Sequence, residues 1–78
     1  MVGHFTGIFT GYERKQGQRG EYAIVRFLDD CGKIFECVAR GSDVIETISC
    51  LEKLEKVVFR ADVDTRDSYT KITFLGLE

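Results

Sequence analysis

The sequence predicts a mainly β fold, a five-stranded Greek-key barrel with one helix between strands 3 and 4. Three observations carry this expectation. Five stretches alternate apolar and polar residues or are rich in aromatic and β-branched ones, the pattern of strands buried on one face. One segment, Asp43 to Leu54, changes to an apolar period near 3.6. The chain contains no proline, so every strand is free to pair with its neighbours. The resulting order is β-β-β-α-β-β, read as one domain over residues 1–78.

The first strand runs from Gly3 to Tyr12, broken by Gly3, Gly7 and Gly11 at four-residue intervals. Glycines inside a strand mark bulges or sharp coiling, and the first strand of a small barrel must bend to reach both neighbours. From Glu13 to Gly20 there is no apolar residue, and Arg14, Lys15 and Arg19 face a single carboxylate; this reads as a solvent-facing loop. The second strand, Glu21 to Asp29, alternates strictly. Arg26 sets its orientation, because a charged side chain is rarely buried unpaired, and Ala23, Val25 and Phe27 therefore face the core.

Asp29-Asp30-Cys31-Gly32 supplies a tight turn into a third strand, Lys33 to Arg40. Glu36 and Arg40 point outward by the same argument, leaving Phe35, Cys37 and Ala39 inside. Asp43 and Glu46 have the spacing of a capping box. Val44, Ile45, Ile48, Leu51 and Leu54 then form one apolar stripe of a helix that plugs an end of the barrel. The last two strands turn Val57, Phe59, Ala61 and Val63, then Ile72 and Phe74, inward, and Asp64 to Ser68 joins them as a polar turn.

Composition narrows the function classes. With 44% hydrophobic and 31% charged residues the chain is neither disordered nor rich enough in apolar runs to cross a bilayer by a helix, which takes roughly 18 or more such residues. The start, Met1-Val2-Gly3-His4-Phe5, lacks the basic and apolar regions of a signal peptide, so a cytoplasmic location is expected, without membrane association. Cys31, Cys37 and Cys50 are three in number and show no CxxC spacing; they read as reduced thiols, and no metal or cofactor is expected. The net charge of −2 divides unevenly, residues 1–41 carrying six Lys/Arg against five Asp/Glu and residues 42–78 five against eight. The first half is thus the cationic one.

Catalysis finds little support. The single histidine, His4, has no nucleophile in a GxSxG-type setting to serve. Adjacent carboxylates such as Asp29 and Asp30 sit where turns collect solvated residues. Gly17-Gln18-Arg19-Gly20 lacks the GK[ST] ending of a phosphate loop. The chain reads as a non-catalytic module.

Two surfaces remain. Cations that follow a phosphate backbone, together with aromatic rings, make a single-stranded nucleic-acid surface, and Tyr12, Arg14, Lys15, Arg19, Tyr22, Arg26, Arg40, Arg66 and Tyr69 supply both. In a barrel of this order the first and last loops flank one sheet face. Alternatively Ile24, Leu28, Ile34 and Val38 give the outer face of the second and third strands an aliphatic character suited to a protein partner or a homodimer.

The strand-helix order, the glycine-broken first strand His4-Phe5-Thr6-Gly7-Ile8-Phe9-Thr10-Gly11-Tyr12 and the basic segment that follows it resemble the OB-fold single-stranded DNA-binding proteins, in particular compact ones of phages and mobile elements. The resemblance covers nearly the whole chain. It implies binding of single-stranded nucleic acid, with DNA favoured, by the strand 2–3 face. Members of that group often carry several exposed aromatics there; here Tyr22 stands among aliphatic residues.

Overall fold

The computed structural model describes residues 1–66 and 69–77, and of residues 66 and 69 only the backbone. Five strands close into a barrel: β1 (Val2–Gly17), β2 (Gly20–Leu28), β3 (Ile34–Arg40), β4 (Lys56–Arg66) and β5 (Tyr69–Leu77), with α1 (Ser42–Ser49) between β3 and β4. Around the barrel they run β1-β2-β3-β5-β4, and β4 returns to β1. All pairings are antiparallel except that of β3 with β5, which is parallel and made by Val38 with Thr73 and Ala39 with Phe74. This is the Greek-key OB arrangement that the element order implies.

β1 serves two neighbours in succession. Its first half pairs with β4, from Val2 opposite Asp62 to Ile8 opposite Lys56, and its second half pairs with β2, from Ile8 opposite Leu28 to Gly17 opposite Gly20. The hand-over lies at a register shift between Phe9 and Gly11, the bend that the broken first strand anticipates.

The alternation of β2 and β3 places the core. Ala23, Val25, Phe27, Cys37 and Ala39 are fully buried, and Phe35 packs against them. Val57, Phe59, Ala61 and Phe74 complete the interior from β4 and β5, with Ile72 at its margin. Phe27 is the hub: its ring stacks on Phe59 at 4.4 Å and meets Phe35 at 5.7 Å, Phe9 at 6.1 Å and Phe74 at 6.2 Å between centroids. Each such pair adds about 0.5–1.5 kcal/mol beyond the area it buries. α1 closes one end with Ile45 and Ile48, touching β2, β3 and β5.

The structure corrects four expectations. Residues 13–17 are not a loop but continue β1, and with β2 they form a hairpin in which Glu13 faces Ile24, Arg14 faces Ala23 and Lys15 faces Tyr22. Likewise Asp64, Thr65 and Arg66 belong to β4 rather than to a turn; Asp67 and Ser68 lie outside the described residues.

The helix is also shorter than its apolar period suggests. It ends at Ser49, with Cys50 as C-cap, and Leu54 lies beyond it at φ 69°, 70% exposed. Backbone bonds explain the stop: the Leu54 N–H donates to Phe9 O at 2.6 Å and the Phe9 N–H to Glu55 O at 2.8 Å, so the segment after the helix is tied to β1. The capping box does not form. Gly41 occupies the N-cap at φ 96°, no side chain caps the helix, and the first bond runs from the Ile45 N–H to Gly41 O. No helix among the described residues is long and apolar enough to cross a membrane.

Candidate nucleic-acid interface

The outer face of β1, β2 and β3 is ordered in rows, because residues opposite one another in an antiparallel ladder share a face. Four rows follow from the register. Lys15, Tyr22 and Arg40 form the first, next to the β1–β2 turn. Glu13, Ile24 and Val38 form the second, Gly11, Arg26 and Glu36 the third, and Ile8, Leu28 and Ile34 the last, at the opposite end. The face is thus basic and aromatic at one end and aliphatic at the other.

At the basic end the Arg40 guanidinium carbon stands 5.5 Å from the centroid of the Tyr22 ring. A groove of about 400 Å³ opens beside this pair, lined by Gly17, Gln18, Arg19, Tyr22, Val38 and Arg40. A second, of about 500 Å³, continues across Arg19 and Arg40 to Glu21, Gly41, Ser42 and Lys71. The two share Arg19 and Arg40, so together they form one trough. Its floor carries three cations and one carboxylate, and among the described residues none of Arg19, Arg40 and Lys71 has an ion-pair partner. Cations in excess over carboxylates in a concave site concentrate positive potential.

Lys71 is not among the residues that the sequence singles out. Its signal was available, since Ile72 and Phe74 face inward on β5 and the residue before them must face out. What the sequence does not reveal is that β5 comes round beside β3 to complete the same trough.

Other expected residues go elsewhere. Arg26 is held by two carboxylates, its Nε 3.0 Å from Glu36 Oε2 and an Nη 3.6 Å from Glu13 Oε2, so the middle of the face has no net positive charge to offer a phosphate. Tyr12 lies on the inward pleat opposite Val25 and packs at the core margin, its ring 6.3 Å from that of Phe9. Arg14 shares that pleat opposite Ala23 and is exposed. The backbones of Arg66 and Tyr69 face each other at the end of the β4–β5 hairpin, and their side chains lie outside the described residues.

The aliphatic residues are divided rather than clustered. Ile24 faces Val38 and Leu28 faces Ile34, with the Arg26–Glu36 ion pair between. Ile34 is the most open of them at 61% exposure. Of the thiols, Cys31 and Cys50 are exposed and Cys37 is buried, and burial pushes the Cys37 thiol up to about 12.

No family model matches the chain, and no curated protein matches it in sequence. Among solved structures, the small single-stranded DNA-binding protein from Streptomyces coelicolor is similar at a TM-score of 0.57, over 95% of this chain and 84% of that one, with 13% identity. At that identity the likeness is one of fold.

Proposed function

We propose that the chain is a non-catalytic module that binds single-stranded nucleic acid, DNA in the first place, at the basic end of the β1–β2–β3 face. The observation that carries this reading is the trough in which Arg19, Arg40 and Lys71 are gathered from three separate strands or turns, with Tyr22 lining one half of it. Lys15, in the same row as Tyr22 and Arg40, extends it. The fold likeness to a protein described as single-stranded DNA-binding supports the reading at the level of architecture, since this barrel face is where oligonucleotides commonly lie. Arg66 and Tyr69 belong to the proposed surface as the tip of the neighbouring β4–β5 hairpin.

The test is fluorescence anisotropy of a labelled mixed-sequence strand of about 20 nucleotides, longer than one barrel's usual site, beside a duplex of the same sequence. Four phosphate contacts, by Lys15, Arg19, Arg40 and Lys71, give a slope of log K against log salt of about −3 on a single strand. Preference for the single strand with such a slope supports the proposal; no binding at low salt overturns it. A second reading, a protein contact or homodimer through Ile24, Leu28, Ile34 and Val38, is favoured by the exposure of Ile34. It predicts a concentration-dependent mass in sedimentation that Ile34→Asp abolishes.

A further inference from the structure

Among the described residues Tyr22 is the one ring that lines the trough, yet it is not open to a base. Arg40 lies over its face at 5.5 Å, and its Cδ1–Cε1 edge is pressed against β1. A Cβ placed on Gly17 would come 3.1 Å from Cε1 and 3.3 Å from Cδ1, so any larger residue there would push the ring by a few tenths of an ångström. A base entering from the trough would have to displace the guanidinium before it could stack. Arg40, in contrast, is exposed, has no carboxylate partner among the described residues, and lines both halves of the trough together with Arg19.

We infer that Tyr22 is a positioning residue that holds Arg40, and that the trough takes its strand by the phosphodiester backbone instead of by stacked bases. This rests on the nucleic-acid reading and narrows it: the ligand class is a flexible polyanionic single strand, bound with little regard to its bases. The ring holds one side of the guanidinium by cation–π contact, and its N–H donors can then give two bonds to two oxygens of one phosphate. Arg19, with a second fork of donors, and Lys71, as a point charge, then hold adjacent phosphates.

The experiment compares, on the intact protein, a labelled mixed-sequence strand with one of equal length and phosphate count made of abasic sites. The expected affinities agree within about threefold, whereas the loss of even one stacked base costs about tenfold. An abasic strand bound tenfold or more weakly, beside normal binding of the mixed-sequence strand, overturns this inference and leaves the broader reading standing. Failure of both strands to bind overturns both.

A double-mutant cycle gives the second readout. Tyr22→Phe keeps wild-type affinity, and Tyr22→Leu weakens binding severalfold. In an Arg40→Ala background Tyr22→Leu has no further effect, because the residue it acts through is gone. An equal loss in both backgrounds overturns the assignment, with circular dichroism confirming that each variant is folded.

Discussion

Gly7 lies so close against Phe27 that a Cβ added to the glycine would stand 2.9 Å from the Cβ of the phenylalanine. The contact is steric and falls at the hub of the aromatic core, where Phe27 has no room to retreat from Phe59, 4.4 Å away. Gly7→Ala is therefore expected to cost about 1–3 kcal/mol, the usual range for overpacking, read as a lower urea midpoint. An unchanged midpoint would mean that β1 shifts outward at this position without penalty.

The buried thiol gives a pH dependence. Cys37 releases its proton at 9.0 when unfolded and at about 12 when folded, so the native state holds the proton more tightly. The associated stability is fully present below pH 9 and is lost as pH climbs from 9 toward 12. Urea midpoints at about pH 8 and about pH 10.5 should fall more for the wild type than for Cys37→Ala, which has no thiol to ionise. Thiol reagents should meet only Cys31 and Cys50 in the native protein; rapid modification of Cys37 would contradict its burial.

Neighbours in sequence should differ in binding. Lys15 shares the outer row with Tyr22 and Arg40, while Arg14 occupies the opposite pleat. Lys15→Ala is expected to reduce the magnitude of the salt slope by about 0.7, one phosphate contact on a single strand, and Arg14→Ala to leave it unchanged. Arg26→Gln should likewise leave the slope alone, and as an exposed ion pair its loss should cost about 1 kcal/mol of stability or less. Equal effects of Lys15 and Arg14 in anisotropy titrations would show that the hairpin acts by overall charge, without regard to face.

Leu54 is the one residue other than glycine with positive φ among the described residues, at 69°, and 70% of it is exposed. A leucine there loses about 1–2 kcal/mol to backbone strain and gains little burial in return. Leu54→Asn, which tolerates the left-handed region, should raise the thermal midpoint by a few degrees, corresponding to about 0.5–1 kcal/mol; a lower midpoint would indicate that the side chain contributes packing after all.

The legible parts of this chain were those where one charged residue oriented a whole strand. Arg26 fixed the pleat of β2 and Glu36 that of β3, and every inward assignment on those strands is buried or packs at the core margin. The β1–β2 extension was illegible because Glu13 to Gln16 are exposed; their pairing rests on backbone bonds and leaves no apolar alternation to read. The end of α1 was hidden for the opposite reason. Leu51 keeps the helical spacing and packs against the core, but does so from a segment whose path is set by bonds to Phe9. Of the candidate site, the trough's Arg19, Tyr22 and Arg40 stand out in the sequence, but their relation to Lys71 depends on barrel closure, and the neutralisation of Arg26 depends on two carboxylates from different strands.

The parallel join of β3 to β5 is narrow, made by Val38 with Thr73 and Ala39 with Phe74 among the described residues. The other pairings are longer, and three of them link strands consecutive in the chain. The barrel is in this sense a rolled sheet fastened by a small catch, and its partners come from positions 38 and 73, so that a long stretch of chain must be closed to make a short contact. The catch is also where Arg40 on one side approaches Lys71 on the other across the trough. A strand laid between them would span the fastening, so occupancy of the trough and closure of the barrel would reinforce one another, each bound ligand acting as a staple across the seam.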